Sequence, residues 1–337
     1  MNYMQQLPSI YLQGHPMPSS NIAIIGAGIA GITAARTLKA AGHSVQVFEK
    51  SRGSGGRLAS KRSEMGRINL GTQAFSSDDP LFLEELHAWQ QVGWVQQHHS
   101  AGQTYWTGVP YMSALTRQLL GDLNTDFSCH IQRLSHDSRG WLLHEQNDRA
   151  HGPFQQLIIA IPAPQASALL NSCAPELAHQ ADSVKVQPVW MVALGFKQPL
   201  THNTNIKCPS NQAIADITVT PLSAEHPMQT WMLRARADWS SKHLENQHDD
   251  VIDALRSAFS DLLDSPLPLH DSAFAHRWRY ALGALKQPTT ALYEQQRGLY
   301  VAGDWCGSGD VYSAWHSGKN AAQQLLDHLH CTTIAHL

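Results

Sequence analysis

Apolar positions along the chain fall into short unbroken blocks and helical periodicities, and the two alternate from the first ordered stretch onward. Residues 22–25, Ile22-Ala23-Ile24-Ile25, form a continuous block that reads as a strand. A glycine-punctuated turn follows, then the helix formers of residues 34–41, with Gly42 placed to cap their end. Residues 45–48 make a second strand that closes on Glu49. Apolar residues at positions 82, 83, 86 and 89 predict a helix over 81–94, and residues 112–120 predict another. Short alternating strands fill 126–145, with a turn at Ser138-Arg139-Gly140. The block 157–161 has no polar face, so it reads as a strand buried on both sides, ended by Pro162 and Pro164. Strand-like runs at 189–196 and 230–235 and a helix at 251–263 follow. Residues 298–305 form a short apolar strand ending in Gly303-Asp304, and a helix is expected from about 314 to 328. Neither an internal repeat nor a low-complexity tract is visible.

The first strand, turn, helix and second strand together spell a nucleotide-binding unit. Gly26 permits a tight turn, Gly28 lets a pyrophosphate approach the backbone, and Gly31 lets helix and strand pack closely. The phosphates then sit on the helix N-terminus at Ile29 and Ala30, where free N–H groups and the macrodipole favour anions. Glu49 is placed to accept the ribose hydroxyls. Directly after it comes a second glycine-rich, basic loop running from Lys50 to Gly56 and Arg57. An NAD domain would usually proceed to its third strand at this point, whereas a second phosphate loop suits a longer cofactor, FAD. The far end agrees: Gly303 and Asp304, with Val311 at the approach to the last helix, are placed against the ribityl and phosphate portion, and the helix N-terminus against the flavin's polar edge.

Composition narrows the class. The 337 residues, 42% hydrophobic and 15% charged, suffice for two lobes with sizeable cores. A formal charge of −3 gives no electrostatic case for nucleic acid, and no apolar run approaches the ~18–20 residues of a membrane span. The first 20 residues lack Lys, Arg and a sustained apolar core, so they are expected to be a flexible extension rather than a signal peptide. Five cysteines without a CxxC pair favour reduced thiols and a cytoplasmic location. Cys306 beside Trp305 raises a covalent-flavin reading, against which stands a small buried apolar residue. His328, His330, Cys331 and His336 cluster near the C-terminus without metal-ligand grammar, so no metal is expected there.

Two further clusters carry candidate chemistry. Thr72 and Gln73, at the end of a strand expected over 67–70, are placed at the flavin ring, with Phe75, Ser76 and Ser77 turning toward the substrate; a plain polar turn is the alternative. In His276-Arg277-Trp278-Arg279-Tyr280, strand alternation sends the two arginines to one face and His276, Trp278 and Tyr280 to the other. The aromatic face then stacks on a flat ligand and the arginines meet a phosphate, or these are core aromatics with solvated arginines. Lys61 and Arg62 carry the same ambiguity.

The stretches IAIIGAGIAG, AAGHSVQVFEKSRGSGGRLASKRS, LGTQAF, GVPYMSALTR, HGPFQQLIIAIPAPQASALL, FAHRWRYA and GLYVAGDWCGSGDVYSAWHSGKNAAQQLL are spread from residue 22 to about 326. In them the chain resembles the bacterial renalase-type flavoproteins, relatives of the amine oxidases. The resemblance implies an α/β fold: a Rossmann-type FAD-binding domain (21–75, 105–170 and 290–337) with an interleaved α+β substrate domain carrying a mixed or antiparallel sheet (76–104 and 171–289). It implies that a strand near Ile131 passes the adenine. The implied substrates are dihydronicotinamide dinucleotides reduced at ring position 2 or 6, oxidised to NAD(P)+, with oxygen reduced to hydrogen peroxide. Departures fall on the substrate side: Ala74 stands where the family has a tyrosine, the link from Trp94 to Tyr105 is short, and Leu282 and Gln287-Pro288-Thr289 replace family residues. A flavin amine oxidase and a non-catalytic FAD-fold binding protein are the alternatives.

Overall fold

Strand β1 (Asn21–Ile25) is buried at four of its five positions, which a strand achieves only with both sheet faces covered. The structure, a computed structural model, describes residues 21–100, 102–146, 149–201, 206–289 and 292–335, with side chains as far as 331. The extension over 1–20 and His336 lie outside the described residues.

Around β1 a six-stranded sheet is built. Helix α1 (Ile29–Ala40) carries the chain to β2 (Ser44–Glu49), which lies parallel to β1. Gly42, at φ +89°, ends that helix by donating its N–H to the Lys39 carbonyl. Two antiparallel hairpins leave this unit: β3 (Ser60–Ser63) with β4 (Gly66–Asn69), and β5 (Val95–Ser100) with β6 (Gln103–Gly108). Helix α2 (Pro80–Gln91) runs between them, and α3 (Met112–Leu120) leads to β7 (Asn124–Phe127), parallel to β2 at the sheet edge. A three-stranded antiparallel sheet follows, β8 (Ile131–Asp137), β9 (Gly140–Glu145) and β10 (Ala150–Phe154). Strand β11 (Gln156–Ile159) then returns to pair parallel with β1.

Helices α4 (Ala163–Leu170) and α5 (Pro175–Asp182) connect to a second sheet, ordered β13-β14-β12-β15 and antiparallel throughout. Its strands are β12 (Gln187–Phe196), β13 (Ile214–Thr220), β14 (Gln229–Ala235) and β15 (Ser272–Leu282), with α6 (Ala237–Lys242) and α7 (His248–Leu263) between the last two. The chain then closes the first sheet through β16 (Leu292–Glu294) and β17 (Leu299–Val301) and ends in α8 (Val311–Ala335). The six-stranded order is β16-β17-β11-β1-β2-β7.

Four packed clusters hold these layers. On one face of the large sheet, Leu38 of α1, Leu115 of α3 and Trp315 and Leu325 of α8 share a core with Phe82, Leu86 and Trp89 of α2. Residues 76–104 were expected in the second lobe; the structure packs their helix on the nucleotide-binding core. Opposite, Trp141 and Leu143 of β9 and Leu169 and Leu170 of α4 cover the sheet. In the second sheet, Trp190 and Leu194 of β12 pack against Phe259 of α7, while Met191 and Ala193 meet Met65 and Ile68 of the β3–β4 hairpin. Strand β12 is therefore covered on both faces, which is why its sequence shows no alternation. Helix α8 begins three residues before the expected position because Asp310 caps it, its Oδ1 accepting from the Ser313 N–H at 2.7 Å. No helix among the described residues is long and apolar enough to cross a membrane.

Candidate active site

The three glycines of the first turn are required for three different reasons. Gly26 sits at φ +108°, and a Cβ there would lie 2.3 Å from the Ala160 carbonyl oxygen. A Cβ on Gly31 would stand 1.9 Å from the Gly26 carbonyl oxygen, so this glycine sets how closely α1 approaches β1. Gly28 has an ordinary backbone, and a Cβ on it would meet no atom of the described residues within 4 Å. Gly56 faces the same space, the Gly28 Cα being the nearest atom to its hypothetical Cβ at 3.9 Å. A slot bounded by two bare glycines lies at the N-terminus of α1, whose first N–H groups at Ile29 and Ala30 have no partner inside the helix. That combination fits a pyrophosphate.

The loops around the slot are tied together by side chains. Glu49 is buried, and its Oε2 accepts from the Ala27 N–H and its Oε1 from the Ser51 N–H, both at 2.8 Å. The residue expected to accept ribose hydroxyls thus also holds the two loops at the end of β2. Gly55 donates its N–H to the Ala27 carbonyl at 2.9 Å, and Ser54 donates to the Thr116 hydroxyl of α3 at 3.3 Å. Thr116 was not foreseen, because nothing in a helical apolar pattern marks one threonine as a loop anchor. Lys50 is exposed beside this loop. Ile131 is buried at the start of β8, an edge strand, two residues after Cys129 donates its N–H to the Glu49 carbonyl at 3.0 Å. The expected adenine strand therefore starts next to Glu49.

Arg57 links both ends of the chain. Its Nη2 meets Asp304 Oδ1 at 2.5 Å, and its Nη1 donates to the Ala281 carbonyl of β15 at 2.7 Å. Asp304 is buried in the turn after β17, and the preceding Gly303 is held by Ser317 of α8, which accepts its N–H at 3.0 Å. Val311 is buried at the first position of α8. Thr72 donates its N–H to the Arg57 carbonyl at 3.0 Å, so the expected flavin turn lies on the same arginine. Gln73 folds its amide back on that turn, donating from Nε2 to the carbonyls of Asn69 and Gly71 at 3.0 and 2.9 Å.

The residues expected to turn toward the substrate make local contacts of their own. Phe75 is a core residue: it bridges to Trp106 through both backbone groups, and its ring lies 6.3 Å from Phe82. Its position after a polar turn resembled a ligand-facing site, but the bridge to β6 turns it inward. Ser77 accepts the Asp79 N–H at 3.2 Å ahead of α2, and Ser76 is exposed. Alternation along β15 holds from Phe274 to Trp278 and then breaks at a register shift, so that Ala281 joins the cluster of Trp278 and Tyr280 is exposed. Arg277 and Arg279 share the single Glu245 carboxylate, at 3.1 and 2.7 Å, which neutralises one of their two charges.

His276 and Trp278 are brought to the seam between the two sheets. Trp278 donates from Nε1 to the Leu70 carbonyl at 2.8 Å, beside Gly71, and the His276 ring lies 4.5 Å from it. Burial, reinforced by the positive charge of Lys61 and by His248, lowers the His276 pKa to about 4. The imidazole is neutral at pH 7, and its buried Nε2 has no hydrogen-bond partner among the described residues. Lys61 stands 4.1 Å over the Phe274 ring two residues along the same face, and Arg67 lies 4.3 Å over Tyr111. Cys306 is fully buried, with burial pushing its thiol up to about 12, which fits the apolar reading and not a reactive one. His328 bonds the Tyr300 hydroxyl at 2.8 Å, and His330 donates to the Leu326 carbonyl at 2.9 Å.

Comparison with known proteins bears on the whole arrangement. Residues 24–86 match the model of an NAD(P)-binding Rossmann-like domain, and residues 96–326 match that of the flavin containing amine oxidoreductases. The chain superposes on a double mutant of putrescine oxidase with a TM-score of 0.73 at 10% identity, covering 93% of this chain and 99% of that one. A putative protoporphyrinogen oxidase from Exiguobacterium sp. 255-15 gives 0.70 at 13% identity, over 92% of this chain and 100% of that one. At such identities the likeness is one of fold. An L-amino-acid oxidase from Siganus canaliculatus is 39% identical over 70 residues, 20% of this chain but 13% of the relative's length. The second family match spans the greater part of the chain, and the glycine slot, Glu49 and the Arg57–Asp304 pair supply a fitting place for the cofactor. The chain therefore belongs to the family of flavin-containing amine oxidoreductases and is an FAD-dependent oxidoreductase.

Proposed function

We propose that this enzyme oxidises the 2- and 6-dihydro isomers of NAD(P)H to NAD(P)+, with dioxygen as the final acceptor and hydrogen peroxide as the second product. The cofactor supplies the two-electron acceptor for a hydride leaving the dihydronicotinamide, whose aromatisation drives the step without a dedicated base. The chain's own task is then to seat a flat ring and an anionic tail.

The observation that carries this reading is the aromatic edge of β15. Trp278 is fixed to the Leu70 carbonyl beside Gly71, one residue before the Thr72 turn that rests on Arg57. Neutral His276 extends that edge, and an uncharged aromatic wall suits a planar nicotinamide. Lys61, exposed over Phe274, and Arg67, over Tyr111, add positive charge on the neighbouring hairpin. Cations there favour a dinucleotide, with its pyrophosphate, over a cationic amine. We place Gly26, Gly28, Ile29, Ala30, Gly31, Glu49, Lys50, Gly56, Arg57, Thr72, Gln73, Ile131, Gly303, Asp304 and Val311 along FAD. His276 and Trp278 lie on the substrate side. All five cysteines are free thiols, which accords with a reducing, cytoplasmic setting.

The test is peroxide production in air. The dihydronicotinamide isomers should give stoichiometric peroxide and NAD(P)+, while putrescine and other primary amines give none above background. Peroxide from amines but not from the isomers would move the enzyme to amine oxidation.

A further inference from the structure

Away from the FAD slot, Cys129, Glu145 and His151 place a thiol sulfur, a carboxylate oxygen and an imidazole nitrogen within 4.8 Å of one another. We propose that these three residues form a zinc site that fastens the β7–β8 connection and the β9–β10 hairpin to the end of β2.

The geometry separates this from a nucleophile with its base. In a relay, thiol and acid engage opposite nitrogens of the imidazole. Here both converge on one: Cys129 Sγ lies 3.6 Å and Glu145 Oε1 2.8 Å from His151 Nε2. Three donor atoms gathered around a single point are what a cation requires. Arg149 lies 3.7 Å from the same Glu145 oxygen and offsets part of its charge, a thiolate adds a further negative charge for a cation to balance, and the thiolate–imidazole pair selects zinc over magnesium or calcium. Ligands about 2.0–2.3 Å from a tetrahedral zinc stand roughly 3.3–3.8 Å apart. The Cys129–His151 spacing already meets this, and the His151–Glu145 contact must open by about half an ångström.

The surroundings suit a bound ion. Cys129 is buried, and the side chains of His151 and Glu145 are 9% and 13% exposed. The Phe48 ring lies 4.9 Å from His151 and restrains its plane. A free thiol carries its proton at pH 7. Binding exchanges that proton for the metal: the S–H bond breaks, the S–Zn bond forms, and the proton leaves to solvent. The cluster also touches the cofactor's neighbourhood. Ser128 and Cys129 donate their N–H groups to the carbonyls of Ser51 and Glu49 at 2.9 and 3.0 Å. An ion on Cys129 would stiffen the segment behind the ribose acid.

The flavin-loaded enzyme, stripped with chelator and titrated with Co2+, tests this, because tetrahedral cobalt absorbs to the red of flavin. The expected result is one equivalent of cobalt per chain, displaced by zinc, with elemental analysis giving one zinc. Cys129→Ser should abolish the red bands, and His151→Ala should weaken binding by more than the ~10–100-fold that loss of an outer-shell partner costs. The wild-type titration stands alone if either variant misfolds. Absence of red bands and of bound zinc in the wild type overturns the proposal, as does a signal that survives in folded Cys129→Ser protein.

Discussion

Arg57 and Asp304, 247 residues apart in the chain, meet at 2.5 Å and join the second glycine loop to the turn after the last strand. The carboxylate is 7% exposed and the guanidinium 29%. Arg57→Ala leaves a buried carboxylate without its partner, and the expected loss is about 3 kcal/mol, the lower end for breaking a buried pair. Asp304→Asn keeps an acceptor for the guanidinium and should cost less. Urea unfolding of both variants gives the order, and flavin absorbance after purification should fall in both.

Gly28 and Gly31 separate ligand space from packing. Gly28→Ala adds a methyl where the described residues have no atom within 4 Å, so stability should change by less than about 1 kcal/mol while FAD affinity falls at least about tenfold. Gly31→Ala drives a methyl into the Gly26 carbonyl and should prevent folding or lower the melting temperature sharply. Thermal melts and flavin titration, run on both variants, distinguish the two roles.

Glu49 carries two backbone N–H groups as well as its expected ribose contact. Glu49→Ala orphans both donors and should destabilise the flavin-free protein by about 2 kcal/mol, since each lost partner of a buried group costs roughly 1–3 kcal/mol. Glu49→Gln retains one amide oxygen and should fall between. Denaturant midpoints of the flavin-free proteins provide the measurement.

The nucleotide-binding unit was legible because its constraints are local: Gly26, Gly28, Gly31 and Glu49 sit at spacings that strand, turn and helix impose within 30 residues. Strand β12 was legible as a block because it is buried on both faces. The β5–β6 hairpin was not, because His98, His99 and Gln96 to Gln97 give it no apolar alternation; its pairing is supplied by contacts such as Trp106 with Phe75. Arg277 and Arg279 were correctly put on one face of β15, but their partner Glu245 lies on the loop after α6, at a distance in sequence that no periodicity reports. The Arg57–Asp304 pair was hidden for the same reason, although each residue was marked singly.

His276 gives stability a pH dependence. Its folded pKa of about 4 lies below the ordinary 6.5, so as pH falls from about 6.5 toward 4 the unfolded chain takes up a proton that the folded protein refuses. Stability from this group is present above pH 6.5 and lost progressively down to about pH 4. His276→Phe should flatten that part of the profile, read as melting temperature against pH.

Lys61 is exposed and lies over the Phe274 ring. If it meets a dinucleotide phosphate, Lys61→Ala should raise KM about two- to fivefold, as loss of an exposed ion pair worth ~0.5–1 kcal/mol implies, and leave kcat nearly unchanged. Steady-state kinetics at low and high salt check this, the effect shrinking as salt rises.

Anaerobic titration of the bound flavin's absorbance with the 2-, 6- and 4-dihydro isomers of NADH tests the proposed activity most directly. One equivalent of the 2- or 6-isomer should bleach the yellow band within seconds and leave NAD+, with the 4-isomer slower by orders of magnitude. A flavin that stays oxidised with both unusual isomers, or is reduced equally by all three, would contradict the assignment.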